Sequence, residues 1–115
     1  MNFARRGEIW LVDFGDPIGH EAGFRRPALV VSDDSVNRGP AGVVIVVPIT
    51  STHRVNPVHV EIEPGESGLD VVSYARCQDV RSLSDARLIG HRGQVSVAVM
   101  FRVERALGWL LGLQG

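Results

Sequence analysis

The chain has 115 residues, which is the size of one domain, and we predict a single domain over residues 1–115. Apolar residues make up 44% and charged residues 22%, and this composition excludes disordered and collagen-like proteins. The longest apolar run, Val43 to Ile49, is far shorter than the ~20 residues of a membrane span, so we expect no membrane association. The N-terminus has no apolar stretch of the kind found in signal peptides, and a single cysteine, Cys77, fits a reducing compartment. The expected location is therefore the cytoplasm.

The charge is nearly balanced, with twelve basic and thirteen acidic residues and a net charge of −1. A protein that coats DNA without regard to sequence would be strongly basic, so that class is excluded. Every basic residue is an arginine. A GC-rich genome explains this bias, and so does phosphate binding, because the arginine fork matches phosphate better than lysine does. Only the positions of the arginines can separate the two explanations.

The first half of the chain predicts three strands and two loops. A glycine-rich loop, Gly15–Phe24, follows the first strand, and long loops in small domains are usually functional. A second loop, 33–42, has room for one helical turn. The segments rich in β-branched and aromatic residues that we predict to be strands are Glu8–Phe14, Pro27–Ser32 and Gly42–Thr50, the last being the most buried.

The second half predicts shorter strands and one helix. Ser84 is a predicted cap of a helical turn over 84–88, and Ser96 is a predicted N-cap of the final helix. The predicted strands are Val58–Glu63, Leu69–Cys77, Val80–Leu83 and Ile89–Val95. The apolar face of the helix is predicted to contain Met100, Val103, Leu107, Leu110 and Leu111.

The opposite helix face carries Arg102, Arg105 and Trp109, with Arg105 spaced to stack on Trp109. An exposed tryptophan indicates either a ring shielded by arginine or a subunit contact. Together the elements predict a mainly β fold, a small antiparallel barrel or curled sheet closed by a C-terminal α-helix.

The sequence offers no metal or cofactor motif. The four histidines, of which His53 and His59 are the nearest pair, lack the close spacing of zinc ligands. Nucleotide-binding loops and hydrolase elbows are absent. Cys77 lies within a strand pattern and is predicted to be a small core residue rather than a nucleophile. We therefore predict no metal and no cofactor.

Polar residues instead gather at predicted strand ends, and jointly they indicate an anion-binding surface. Such a surface can cleave RNA without a metal, because RNA carries its own nucleophile, the 2′-OH. The protein must only align that hydroxyl, remove its proton and stabilise charge on the phosphate. His20, Glu21 and Asp79 are candidates for moving protons. The anion-binding candidates are Arg25, Arg26, Thr50, Ser51, Thr52, Arg76, Gln78, Asp79 and Arg81.

At these residues the chain resembles the MazF/PemK (Kid) toxins of bacterial type II toxin–antitoxin systems. The similarity runs in order from residue 5 to about residue 111. The segments that carry it are Arg6–Phe14 (R-G-E-I-W-L-V-D-F), Gly19–Glu21 (G-H-E), Arg26–Ser32 (R-P-A-L-V-V-S), Val47–Ser51 (V-P-I-T-S) and Gln78–Leu83 with Arg87–Leu88.

The resemblance implies a metal-independent endoribonuclease that cuts single-stranded RNA and leaves a 2′,3′-cyclic phosphate and a 5′-OH. It implies a homodimer of an SH3-like, CcdB/Kid-like barrel that is silenced by a cognate, MazE-like antitoxin with an acidic disordered C-terminal tail. By motif, Arg26 and Thr50 match the main catalytic pair of the family, and His20 matches a catalytic histidine of its PemK/Kid branch. Arg76 matches an arginine of the same branch. The remaining residues assigned to RNA binding are Glu21, Arg25, Ser51, Gln78, Asp79, Arg81 and Arg87.

The chain departs from the Kid-like pattern R-C-D-Q, since it reads Arg76-Cys77-Gln78-Asp79. On a strand, a shift of one residue turns a side chain to the other face. Either a bulge restores the carboxylate of Asp79 to the site or Gln78 takes its place.

Two other functions remain. A CcdB-like toxin that poisons DNA gyrase without catalysis would use a tryptophan near its C-terminus, as Trp109 is here, and a degenerate toxin would only sequester an antitoxin. A non-enzymatic binder, however, needs no phosphate-binding site. Arg26-Pro27 and the segment ending at Thr50-Ser51 predict such a site.

Overall fold

A computed structural model describes residues 3–16, 19 and 24–113. It contains seven strands, two helices and two 3-10 turns. The strands are β1 (Glu8–Asp13), β2 (Arg25–Val30), β3 (Val43–Thr50), β4 (His59–Ile62), β5 (Ser73–Arg76), β6 (Arg81–Ser84) and β7 (Leu88–Gln94), the helices are α1 (Asp34–Asn37) and α2 (Val97–Leu110), and the 3-10 turns are Cys77–Asp79 and Asp85–Arg87.

The strands form one antiparallel sheet in the order β4-β5-β3-β2-β1-β7, and β6 pairs with the first half of β3. Strand β3 is the centre of this sheet, because it pairs with β2 along one edge and with β5 and β6 along the other. Its run of β-branched residues suits a position buried on both faces, and only Ile45 within it is exposed.

The sheet separates two apolar cores. On one face, Ile9, Leu29 and Val47 pack with Val99 and Val103 of α2. On the other face, alternate residues of the same strands, among them Val12, Ala28 and Val46, form a second cluster. The alternation follows from the two-residue period of a strand.

The two ends of the sheet meet at the loop that connects β4 and β5. The backbone N–H of Gln94, at the end of β7, donates to the carbonyl of Glu66 in this loop at 3.0 Å. Backbone approach is very close here: a Cβ on Gly68 would lie 2.0 Å from the carbonyl oxygen of Arg92, and a Cβ on Gly93 would lie 2.3 Å from that of Glu66. Gly68 also has a φ of +73°, which disfavours other residues. These contacts join β7, at one end of the strand order, to the loop that follows β4 at the other end.

Most of the predicted elements are confirmed, including the single turn α1 and the two serine caps. The Ser84 hydroxyl accepts from the N–H of Ala86 and the Ser96 hydroxyl from that of Val99, both at 3.2 Å. The predicted strand over 69–77 is too long. Only β5 within it pairs with other strands, because residues 68–72 belong to the loop that lies against β7. Cys77 does not lie in a strand but begins a 3-10 turn, and it is fully buried as predicted.

Helix α2 buries a narrower stripe than its sequence predicts. Val103 is fully buried, whereas Leu111 is exposed, because the helix ends at Leu110 and Leu111 is its C-cap. Trp109 is 73% exposed. Arg105 lies over the ring of Phe101, at 5.8 Å from its centre, so the predicted stacking on Trp109 is replaced by a contact one turn earlier. Within the described ranges, no helix is long and apolar enough to cross a membrane.

Candidate functional site

Arg26 and Thr50 line one cavity at the end of the sheet, with a volume of about 410 Å³. Ala28 lies opposite Pro48 in the β2–β3 ladder, and the same register two residues further on brings Arg26 opposite Thr50. Both side chains are half-buried, and Ser51 joins them as an exposed neighbour. A guanidinium and two hydroxyls at the mouth of a cavity form a donor-rich site for an anion.

The hydroxyl oxygen of Thr50 is held by a local hydrogen bond. Its Oγ1 accepts the backbone N–H of Thr52 at 3.1 Å, which is the local bond by which a threonine stabilises a turn. While its oxygen accepts this bond, the hydroxyl keeps its own hydrogen as a donor for a ligand in the cavity. Thr52 itself, one of the predicted anion-binding residues, contributes this backbone group and does not line the cavity.

Sequence reasoning missed the opposite side of the cavity. There the loop residues Leu69, Asp70 and Val71 face the pocket together with Arg92 of β7. Asp70 and Arg92 lie in the predicted strands Leu69–Cys77 and Ile89–Val95, and no motif marks either of them. Only the meeting of the β4–β5 loop with β7 brings them to Arg26.

A second group of predicted residues surrounds the start of the long loop. The guanidinium of Arg81 lies 5.5 Å from the ring centre of Phe14, and Arg87 donates from Nη1 to the carbonyl of Asp13 at 3.1 Å. Arg25 lies opposite Asp13 in the β1–β2 ladder. Arg25, Arg81 and Arg87 therefore form a basic group around Phe14 that lies outside the Arg26 cavity.

A third group lies where β5 ends. Nη2 of Arg76 is 2.8 Å from Oδ2 of Asp79, and both side chains are about four-fifths buried. Gln78 contacts His59 through their Nε2 atoms at 2.9 Å. Burial, and then the charge of Arg76, lower the pKa of His59 below its ordinary value of 6.5. Since Thr50 pairs with Tyr74, alternation along β5 directs Arg76 to the same face of the sheet as Thr50.

The strand argument applied to the R-C-Q-D segment is corrected by this geometry. Residues 77–79 form a 3-10 turn with about three residues per turn, so positions three apart eclipse each other. Asp79 therefore returns to Arg76, while Gln78 points to His59. No bulge is involved, and neither residue lines the Arg26 cavity.

The predicted proton-transfer residues His20 and Glu21 lie outside the described residues. The loop that holds them leaves the sheet at Phe14 and returns at Phe24, where the N–H of Phe14 donates to the carbonyl of Phe24 at 2.9 Å. This return point is directly followed by Arg25 and Arg26.

Other chemistry has little support in the part of the chain that the structure describes. Burial raises the pKa of the Cys77 thiol to about 11, so little thiolate forms at neutral pH. Within residues 3–16, 19 and 24–113, no three His, Cys, Asp or Glu side chains are grouped as metal ligands would be. A further cavity of about 470 Å³ between β4 and α2 is lined by Arg102, Arg105 and Trp109, and it shares no residue with the Arg26 cavity.

Comparison with known proteins identifies relatives along almost the whole chain. The family described as PemK-like, MazF-like toxin of type II toxin–antitoxin system matches residues 5–111. The curated protein endoribonuclease MazF9 of Mycobacterium tuberculosis (strain ATCC 25618 / H37Rv) is 41% identical over 108 residues, which cover 90% of this chain and 92% of that protein.

Solved structures show the same fold. MazF from Deinococcus radiodurans superposes with a TM-score of 0.83 at 31% identity and covers 97% of this chain and 99% of its own. An endoribonuclease in complex with its cognate antitoxin from Mycobacterial species superposes with a TM-score of 0.80 at 28% identity, with coverage of 97% and 98%. The mainly β architecture with a C-terminal helix, predicted from sequence, is that of these toxins.

Proposed function

The chain belongs to the family of PemK-like, MazF-like toxins of type II toxin–antitoxin systems. From this premise we propose that it is an endoribonuclease that cuts single-stranded RNA by attack of the RNA's 2′-OH on the neighbouring phosphate. The products are a 2′,3′-cyclic phosphate and a 5′-OH. The observation that carries the proposal is the shared cavity of Arg26 and Thr50. Curated relatives are named endoribonucleases, which agrees with it.

Attack of the 2′-oxygen on phosphorus builds negative charge on the two non-bridging oxygens. Arg26 donates to these oxygens through its guanidinium, and the O–H of Thr50 donates from a fixed position. Such prepositioned donors stabilise the transition state more than the ground state, because the charge they serve is still developing. Arg92, on the other side of the cavity, holds a neighbouring phosphate of the strand.

The 2′-OH must also lose a proton and the leaving 5′-oxygen must gain one. We assign these proton transfers to His20, which matches a histidine of the PemK/Kid branch, and to the neighbouring Glu21. The RNA on either side of the cut contacts two basic groups. One is Arg76, which Gln78 and Asp79 accompany, and the other is the group of Arg25, Arg81 and Arg87 around Phe14. Ser51 adds a hydroxyl at the cavity mouth.

The proposed partners follow from the same surface. The toxin acts in the cytoplasm as a homodimer, and a cognate antitoxin with an acidic tail covers the arginines, since carboxylates and phosphates accept the same bidentate hydrogen bonds. The structural relative in complex with its antitoxin supports a partner of this kind.

The experiment is cleavage of a long single-stranded RNA in excess EDTA, with the new 5′ ends mapped and the 3′ ends analysed. We expect cutting to continue in EDTA, cyclic phosphate at the 3′ ends, and no cutting where the scissile nucleotide carries 2′-deoxyribose. Cutting of the deoxy substrate would overturn attack by the 2′-OH. Loss of cutting in EDTA that Mg²⁺ restores would overturn metal independence.

The same preparation tests the alternative of a non-enzymatic gyrase poison, for which the exposed Trp109 is the only motivation. DNA supercoiling by gyrase is measured in its presence. Inhibition of supercoiling together with intact RNA would favour that alternative over the endoribonuclease.

A further inference from the structure

The cavity of Arg26 and Thr50 has a second wall made by the loop between β4 and β5. Leu69, Asp70 and Val71 face the cavity from this wall. Val71 is 55% exposed, so its side chain is accessible to a molecule in the cavity. The wall thus presents apolar side chains and one carboxylate to whatever occupies the site.

The wall is rigid before any ligand binds. Ser67 is buried, donates from Oγ to the carbonyl of Glu63 at 2.6 Å and accepts the N–H of Leu69 at 3.3 Å. The hydroxyl of Ser73 donates to the carbonyl of Val71 at 2.9 Å. With the close backbone contact between Gly68 and Arg92, these bonds hold the loop against β7. A preorganised wall selects a ligand instead of adapting to it.

The chemistry of the wall suits a nucleobase. Single-stranded RNA is read through bases that are splayed out, packed on side chains and hydrogen-bonded at their Watson–Crick edges. Leu11, Leu69 and Val71 supply apolar surface for the flat face of a base. Of the other polar residues that line the cavity, Arg26, Thr50, Ser51 and Arg92 are assigned to phosphates, and the hydroxyl of Ser73 donates to the carbonyl of Val71. Asp70 is then the polar group placed to reach the edge of a base.

A carboxylate discriminates sharply among the four bases, because it only accepts hydrogen bonds. Guanine presents two adjacent donors, N1–H and N2–H, which can bind the two oxygens of the carboxylate. Adenine and cytosine present one donor beside a ring nitrogen that repels the second oxygen, and uracil presents one donor between two carbonyls. We propose that the loop wall is a base-specificity subsite in which Asp70 selects a guanine next to the cleaved phosphate. The proposal rests on the proposed endoribonuclease function and names what that site reads.

The test is cleavage of a random-sequence single-stranded RNA pool by the wild type, Asp70→Asn and Glu66→Gln, with all cut sites sequenced. Glu66→Gln is the matched control, since Glu66 lies in the same loop, is exposed, loses the same charge and does not line the cavity. We expect the wild type and Glu66→Gln to require guanine at one position beside the cut. Asp70→Asn should lose about tenfold to a hundredfold of that preference while still cutting.

Base analogues sharpen the result. In a single-site substrate, inosine in place of the guanine removes the N2 amino group and should slow the wild type several-fold, with no further loss in Asp70→Asn. 7-Deazaguanine leaves the Watson–Crick edge intact and should be cut normally. A wild-type cut motif without guanine, or an unchanged guanine preference in Asp70→Asn, would overturn the subsite while leaving the endoribonuclease intact.

A wild type that cuts no RNA would instead refute the proposed function, and the subsite is then decided by binding. Short 2′-deoxy-substituted oligonucleotides with guanine or adenine at the central position are titrated against the wild type and Asp70→Asn. Tighter binding of the guanine oligonucleotide by the wild type alone supports the subsite, and equal binding of both refutes it.

Discussion

Asp79 follows Arg76 by one 3-10 turn, and the two side chains form an ion pair with 2.8 Å between Oδ2 and Nη2. The pair is mostly buried, so water screens it weakly. Arg76, which projects from the same sheet face as Thr50, is thus partly neutralised in the free protein. RNA phosphates that reach Arg76 must compete with the carboxylate of Asp79.

Asp79→Asn should therefore tighten RNA binding and make it more sensitive to salt, because the carboxylate of Asp79 no longer competes with phosphate for Arg76. It should also lower the free energy of unfolding by about 1–3 kcal/mol, the usual loss when one partner of a buried polar contact is removed. Urea denaturation and RNA titrations at several salt concentrations measure both effects. Asp85→Asn, at an exposed carboxylate, should change neither, and weaker binding by Asp79→Asn would show that Asp79 itself supports RNA.

Arg26→Ala should lower the cleavage rate by ~10²–10³, the usual loss for one donor that stabilises transition-state charge. Thr50→Ala should be similar or milder, and Thr50→Ser should retain activity because it keeps the hydroxyl. Single-turnover kinetics on a short RNA measure these rates, with Arg38→Ala as an exposed arginine remote from the cavity. A fully active Arg26→Ala would mean that the phosphate binds elsewhere.

The sequence predicted the strands and helix well because the signals are local. The period-two pattern around Val60 and the cap at Ser96 each depend on a few neighbouring residues. Arg26 and Thr50–Ser51, which the sequence places near the ends of two strands, line one cavity, and their roles toward RNA stay a prediction.

What the sequence did not predict depends on contacts between distant segments. Asp70 and Arg92 reach the cavity only because the loop after β4 packs on β7, and this contact leaves no local pattern. The position of Asp79 was misjudged because a three-residue 3-10 turn and a continuing strand look alike in sequence. The anion-binding candidates form three groups, and only the sheet register shows which residues are neighbours.

The stability of the fold should fall as the solution becomes acidic, and His59 should contribute to this loss. Its pKa is lowered in the folded state, so the unfolded chain binds the proton more readily. The contribution is complete above the ordinary value of 6.5 and declines as the pH falls through the folded value. Urea denaturation between about pH 5 and 7 measures it.

His59→Gln removes this titration and keeps an amide for Gln78, so its stability should depend less on pH over the same range. A wild-type curve that is flat in this range would contradict the role of His59.

The protein should be a symmetric homodimer. Helix α2 leaves Phe101 56% and Trp109 73% exposed, and large apolar side chains on one helix face are a typical subunit contact. Light scattering at micromolar concentration should give about twice the 12.5 kDa of one chain. A mass near 12.5 kDa would refute the dimer, and Trp109→Ser should shift the equilibrium towards the monomer if this face is the contact.

An acidic antitoxin tail should compete with RNA. The arginines that the sequence predicts to serve both are Arg25, Arg26, Arg76, Arg81 and Arg87. With a net charge of only −1, the attraction is local and should still weaken with added salt. A synthetic tail peptide should inhibit cleavage, and the same peptide with Asp and Glu changed to Asn and Gln should not.

If a saturating tail left RNA affinity and cleavage unchanged, inhibition would act from another surface. The groove between β4 and α2 that Trp109 lines is the next place to examine.

The close contact of Gly68 with Arg92 and of Gly93 with Glu66 has a consequence for how such toxins diversify. Main-chain atoms, not side chains, set the separation between the loop wall and the sheet at this point. Substitutions at positions 70 and 71 can therefore change what the wall offers to RNA without altering the width of the site. If the wall reads RNA as proposed, single substitutions at positions 70 and 71 should change the recognised base while Arg26 and Thr50 stay in place.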